Sequence, residues 1–518
     1  MSLLKNFATV GGATASSRIL GFIRDTFIAS ALGTGAVADA YVVAFRLPNL
    51  FRRLFAEGAF SSAFVPMFAR QLEGEGPEVA RQFAAEAQAA LGGFLFLLTI
   101  VALVFMPEVV AVLAPGFLEE PAKFELTVQL ARIAFPYLWL ISLQSLYAGV
   151  LNGLGRFAAA AFSPTLLNVA LISALVAVFW LHWDGSATAG FALSWAITIG
   201  GVLQLAMLVG VAIYRGMALP LLWPRLTVGV KRLCLLAGPS VVAGGVIQIN
   251  IIVGTMIASA QPGAVAWLYF ADRVYQLPLG IVGIAIGTVL LPDIARRVRA
   301  GDMGAVLHNQ NRSVEFALAL TLPAAVALVV TALPVTVGLF QRGAFSHADA
   351  IETASALAAY GLGLPAFVLL KVFQPAFFAR ENTKTPMWYS AINVGVNVAL
   401  SFALFPIYGH VGVALATTIA SWLNVVMLFV ALKRAGIFQG DARLRSVLVR
   451  IVLASAIFGG VLYGIGQWLA AWFIEGDPTA PLGLAILVGV GLVVYAVLVV
   501  ALGIIRPADL KRLVRRRR

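Results

Sequence analysis

Long apolar runs separated by short polar gaps dominate the 518-residue chain. A helix needs about 20 mostly apolar residues to cross a hydrocarbon core. A window of that size predicts spanning segments at 7–31, 36–69, 83–106, 124–151, 158–181 and 187–213. The break at 215–232 holds Pro220, Trp223, Pro224 and four basic residues, which suits a linker lying along a membrane surface. A second set is predicted at 233–258, 264–295, 313–339, 352–378, 386–405 and 411–431, and two more segments at 447–473 and 481–505. The expected fold is an all-α integral membrane protein with 14 transmembrane helices.

The two six-helix sets repeat at an offset of about 225 residues. IASAL at Ile28 matches IASAQ at Ile257, GAVA at Gly35 matches GAVA at Gly263, and VPMFAR at Val65 is similar to LPDIAR at Leu291. NVALISAL at Asn168 and NVALSFAL at Asn397 agree in six of eight positions. An even number of helices per unit gives both halves one orientation, related by an axis along the membrane normal. The expected organisation is therefore two pseudo-symmetric lobes, 1–214 and 233–434, joined by a cytoplasmic linker at 215–232. Two C-terminal helices within 446–505 and a basic tail at 506–518 complete the chain. Two such lobes imply a cavity between them and an alternating-access motion.

Composition and charge narrow the class. Residues are 61% hydrophobic and 11% charged, against about 25% charged in a soluble domain, which excludes a soluble enzyme. The net charge of +13 sits in the gaps between apolar runs. Eighteen Lys and Arg from Lys5 to Arg445, with seven more after Ile505, fall on one side; Lys123 and Arg342 fall on the other. By the positive-inside rule both termini are cytoplasmic. The tail then reads as an anchor to anionic phospholipids, not as a nucleic-acid site. The single cysteine, Cys234, leaves no disulfide framework. The N-terminal stretch is too polar for a cleavable signal peptide and is expected to stay in the mature protein.

Charged residues inside the predicted spans carry the chemistry. The first two contain Arg18, Arg24, Asp25, Asp39, Arg46, Arg52, Arg53 and Glu57. Each charge at the centre of a spanning helix costs about 2.5–3.5 kcal/mol on insertion scales, so lipid exposure of the set is implausible. At the helical rise, Arg24, Arg18 and Arg52 lie about 13, 22 and 28 Å from the turn near Gly33, and Arg273 about 15 Å from the turn at Gly263. Either the arginines are neutralised within the protein (Arg24 by Asp25, Arg52 by Glu57, Arg273 by Asp272) or they line a basic cavity facing a substrate. Adjacent helical residues point about 100° apart, which makes the two Asp–Arg neighbours poor direct partners. A guanidinium donates a planar fork of hydrogen bonds and stays charged when buried, so the cavity reading points to an anionic cargo such as a phosphate or pyrophosphate. Arg132 and Lys371 can instead snorkel toward a helix end.

Other chemistry finds no support. There is no GxxxxGK[ST] loop and no HExxH or zinc-ligand spacing. His182, His308, His347 and His410 sit in or near loops, and Gly280, Gly283 and Gly287 read as helix-packing residues. Pro48 and Pro278 occupy matching places in the repeat, where breaks or bends are expected. No cofactor is implied.

The runs SSRILGFIRDTFIASALG (16–33), ADAYVVAFRLPNLFRRLFAEGAFSSAFVP (38–66) and WLYFADRVYQLPLGIVGIAIGTVLLP (267–292) resemble the MurJ/MviN family of bacterial lipid II flippases. APGF at Ala114, SPTLLN at Ser163 and KTP at Lys384 extend the resemblance over nearly the whole chain. That family belongs to the multidrug/oligosaccharidyl-lipid/polysaccharide exporter superfamily. The resemblance implies flipping of undecaprenyl-pyrophosphate disaccharide-pentapeptide from the cytoplasmic to the periplasmic leaflet of the inner membrane, for peptidoglycan synthesis. It implies functional arginines at Arg18, Arg24, Arg52 and Arg273, an acidic residue at Asp39 and a polar one at Asn49; the charges read in the first two spans add Asp25 and Arg53 to the candidate substrate-facing set. It also implies a lipid-tail groove formed by the two extra helices.

Two departures from the family pattern concern coupling. Gln276 stands where some relatives carry glutamate. The sodium site of some members is met here only by Asn393, Asn397 and Thr417, without a carboxylate in those helices. Coupling to the membrane potential or a monovalent ion is left open, with cell-wall synthesis proteins as candidate partners. The competing readings are a flippase for another polyprenyl-linked glycan and a drug or cation antiporter of the same superfamily. An antiporter of that kind calls for unpaired cavity carboxylates, whereas arginines outnumber acids here.

Overall fold

A computed structural model describes residues 3–53 and 60–504. Glu57 and the basic tail fall outside the described residues, so the Arg52–Glu57 pairing and the lipid anchor are not addressed by it. Among the described residues the fold is entirely helical. The order is α1 (Leu3–Leu32), α2 (Ala36–Arg52), α3 (Ser61–Gly74), α4 (Pro77–Val104), α5 (Met106–Leu113), α6 (Pro121–Ala134), α7 (Tyr137–Gly153), α8 (Phe157–Trp180) and α9 (Ala187–Tyr214). Then come α10 (Val228–Ala258), α11 (Ala264–Arg299), α12 (Met303–Val330), α13 (Ala332–Phe340), α14 (His347–Phe378), α15 (Lys384–Tyr408), α16 (His410–Arg434), α17 (Ala442–Trp468) and α18 (Ala480–Ala501).

Ten of the described helical segments are long and apolar enough to cross a membrane, which makes this a multi-pass membrane protein. Several predicted spans divide. The span 124–151 is α6 and α7, broken at Phe135–Pro136, although together they remain apolar enough to count as one crossing, Pro121–Gly153. The span 313–339 is α12 followed by α13, and the end of 447–473 turns into a short 3-10 helix at Ala470–Phe473. Helix starts lie outside the apolar windows, as where α4 begins at Pro77 and not at 83. Hydropathy senses lipid, whereas backbone hydrogen bonding carries the helix beyond it. Of the breaks or bends expected at Pro48 and Pro278, no break occurs: α2 and α11 run through both prolines, in line with the tolerance of proline in membrane helices where neighbouring groups satisfy the freed carbonyl.

The chain packs as two compact units, Met1–Ala266 with Gly343–Phe345, and Trp267–Arg342 with Ser346–Arg518. The first unit therefore includes α10, the helix after the linker, which packs on α3, α4 and α5. The linker lies against α4: Thr227 donates to Glu86 at 2.7 Å, while Trp223 and Leu221 stand 83% and 91% exposed. A methyl at Gly93 would come within 2.6 Å of Pro224, so glycine lets this segment approach. A stack of Phe60, Phe64, Phe68 and Phe83 holds α3 to α4, with ring centroids 5.1–5.7 Å apart. At the α1–α2 turn Gly33 has φ +63°, and a Cβ there would meet the Ala344 carbonyl oxygen at 2.4 Å. Only glycine fits both conditions.

In the second unit α17 is fixed to α12 by a charged cluster. Arg312 pairs with Glu315 and Asp441, and Arg443 Nε lies 3.6 Å from Glu315. Asp441 also caps α17, accepting from the Leu444 amide at 2.6 Å. Partial burial works to raise its pKa, but the Leu444 amide and Arg312 prevail and hold the carboxyl below the usual range. Tyr495 of α18 donates to the Ala319 carbonyl of α12.

Candidate functional site

The charged residues of α1 and α2 are organised, not dispersed. Arg24 is buried, and its Nε and Nη2 donate to Asp25 Oδ1 at 3.0 and 2.7 Å. This corrects the expectation that helix geometry makes these neighbours poor partners. The Cα–Cβ directions do diverge, but the arginine stem is long enough to fold back over the carboxylate. Nη1 donates to Asn168 Oδ1 on α8 at 2.9 Å, and Asn168 Nδ2 donates in turn to the Ser17 carbonyl at 2.9 Å. The guanidinium also lies 5.9 Å from the Phe45 ring centroid on α2. Residues of three helices, α1, α8 and α2, thus surround one cation. Arg18 is exposed on α1.

On α2, Arg46 Nη1 donates to Thr255 of α10 at 2.9 Å, and the Asn49 amide donates to the Phe45 carbonyl one turn back at 2.8 Å. Arg52 is half-buried and Arg53 exposed. Asp39 differs from the rest of the set. It is 0% exposed and accepts from Lys123 Nζ at 2.8 Å, from the Gly263 amide at 2.9 Å and from the Ala266 amide at 3.0 Å. Its carboxylate holds α6 and the 263–266 turn to α2, a structural task not expected from its place in the substrate-facing set. Lys123, counted in the sequence as an outer-loop charge, is 4% exposed and sits 4.3 Å from the Phe117 ring centroid.

In the second unit Arg273 is half-buried with its guanidinium 4.6 Å from the Tyr269 ring centroid. The neighbouring Asp272 accepts from Gln276, the departing position noted above. Asn397 Oδ1 accepts from the Ser401 and Thr417 hydroxyls, each at 3.4 Å, while Asn393 is half-buried nearby on α15. These oxygens are neutral, one is already shared by two hydroxyls, and among the described residues no group of three His, Cys, Asp or Glu gathers that could hold a metal.

Asn168 and Lys123 are the residues that sequence reasoning missed. Asn168 had a signal: it opens the repeated NVAL run, whose counterpart Asn397 is likewise a hydrogen-bonding centre. Lys123 had none, because a lysine near a predicted outer loop resembles any solvated charge.

The family model described as "Lipid II flippase MurJ" matches residues 28–477. A protein of Rhizobium meliloti (strain 1021) described as a probable lipid II flippase MurJ is 48% identical over 519 residues, covering 100% of this chain and 97% of that one. A solved structure, "Lipid II flippase MurJ, inward closed conformation", superposes with a TM-score of 0.77 at 25% identity, covering 94% of this chain and 97% of the other. An inward-facing MATE-family multidrug transporter of the MOP superfamily shares the fold, with a TM-score of 0.67 at 15% identity over 81% of this chain and 94% of that one. With its buried arginine on α1, its membrane helices and a match over its whole length, the chain belongs to the lipid II flippase MurJ family of transporters, not to a family of enzymes.

Proposed function

We propose that this protein carries lipid II from the cytoplasmic to the periplasmic leaflet of the bacterial inner membrane by alternating access. In this reading both termini are cytoplasmic, and α1, the α2–α3 segment, α10 and α11 cross the membrane alongside the ten apolar spans, giving fourteen. The lobes correspond to the sequence repeat, and α17 with α18 forms a wall for the polyprenyl tail.

The observation that carries the reading is Arg24, a buried guanidinium aimed by Asp25 and Asn168. Before cargo arrives Asp25 neutralises the charge, so the arginine tolerates a low-dielectric site. A pyrophosphate offers more acceptor oxygens and more negative charge than one carboxylate, and it competes for the same fork. Arg18 and Arg52 on the first unit and Arg273 on the second supply further cations. Asp39 and Lys123 hold the scaffold. The test is lipid II translocation by purified protein in proteoliposomes: Arg24→Ala is expected to abolish it, and translocation at the wild-type rate would reject the assignment.

A further inference from the structure

The face of α6 not used in packing carries a polar seam that ends on one arginine. Ala122, Glu125, Gln129 and Arg132 are all exposed and recur at helical spacing, so they form one stripe. Gln129 Nε2 donates to Glu125 Oε1 at 3.2 Å. Arg132 Nε donates to the carbonyl of Leu103, next to the last residue of α4, at 3.2 Å. Among the described residues that is its one hydrogen bond, and its two terminal NH2 groups make none. Farther from Pro121 lies an apolar pair: Trp139 of α7 and Phe96 of α4 have ring centroids 5.9 Å apart, and the Trp139 indole donates to the Gly92 carbonyl at 2.9 Å.

We propose that this seam binds the head group of a zwitterionic phospholipid with a primary amine, phosphatidylethanolamine, as an annular site separate from the arginine set of α1 and α2. The order of charges argues for it. Pro121 begins the crossing, so Glu125 lies nearer the membrane surface and Arg132 about 10 Å deeper by the helical rise. Side chains on a helix lean toward its N-terminus, so the Arg132 guanidinium snorkels back to phosphate depth. A phospholipid oriented by its acyl chains presents its phosphate deeper and its ammonium nearer the water. The phosphate meets the two terminal NH2 groups of Arg132, and the ammonium meets Glu125. An anionic head group without an amine satisfies the arginine but leaves Glu125 facing a negative neighbour. The Phe96–Trp139 pair receives the acyl chains. The site requires that α6 cross the membrane and does not depend on the cargo reading.

The experiment is native mass spectrometry of the full chain released from nanodiscs holding equal phosphatidylethanolamine and phosphatidylglycerol, after graded delipidation. Wild type should retain phosphatidylethanolamine about tenfold over phosphatidylglycerol, a preference of about 1.4 kcal/mol. Glu125→Gln should bring the ratio near one while phospholipid is still retained, and Arg132→Gln should lose both lipids. Arg24→Ala should retain phosphatidylethanolamine like wild type, which separates this site from the transport site. Equal retention of the two lipids by wild type overturns the proposal, as does undiminished phosphatidylethanolamine on Arg132→Gln. If Arg132→Gln fails to fold, the Glu125→Gln ratio decides alone, and an unchanged tenfold preference there is contradictory.

Discussion

Arg24 is the residue on which the transport account turns, and its surroundings make its replacement informative. Arg24→Ala should abolish translocation with normal membrane insertion, and Arg24→Lys should recover only part, since a lysine cannot reproduce the fork that reaches Asp25 and Asn168 together. Asn168→Ala removes one charge-assisted hydrogen bond, about 1.5–3 kcal/mol, and should slow translocation about tenfold or more. A wild-type rate for Asn168→Ala would remove the positioning role. A second residue pair is structural. Lys123→Met leaves the fully buried Asp39 without its cation and should destabilise the protein by about 3–5 kcal/mol, whereas Asp39→Asn with Lys123→Met should recover part of the loss. Thermal unfolding in detergent compares Lys123→Met, Asp39→Asn and the double variant, and strictly additive losses would contradict the coupling.

At the scale of elements, α17 and α18 lie outside the repeat and pack on α12 and α13. Of the glycines in α17, Gly459 serves close approach, since a Cβ there would meet Val326 at 2.6 Å. Gly460 and Gly464 have no atom within 4 Å of that position, so one turn apart they leave an open strip on the outer face. Photo-crosslinkers at Val461, Ile465 and Trp468 should label lipid II through its tail, and labelling of bulk phospholipid alone would place the groove elsewhere. The Asp441 cap gives a pH prediction. Its folded pKa is depressed, so its contribution is present above the usual aspartate value, about 4, and is lost as pH falls through the folded pKa. Acid should therefore loosen α17 from α12, as read by hydrogen exchange at its first turn. Asp441→Asn should weaken that pH dependence, leaving the part carried by Glu315, which pairs with Arg312 and Arg443.

The same scale shows how much the chain discloses in one dimension. Each of the ten described segments long and apolar enough to cross a membrane overlaps a predicted span, because lipid imposes a length and a composition that any sequence must obey. The apolar runs did not reveal the break at Pro136 or the one before α13, where local backbone geometry decides within a continuous apolar run. The arginines of the candidate site were legible because a charge inside such a run is costly. What pairs with each charge was not, because Asn168 and Lys123 reach their partners across 144 and 84 residues of chain.

For the whole molecule the proposal to be tested is that lipid II translocation needs both Arg24 and Arg273. The most direct measurement is the leaflet accessibility of lipid II in cells depleted of their own flippase and supplied with this protein, or with Arg24→Ala or Arg273→Ala. Wild type should restore outer-leaflet lipid II, and each alanine variant, present at normal membrane levels, should leave it at the depleted background. Restoration by either variant, or failure of the wild-type protein to restore exposure, would contradict the account.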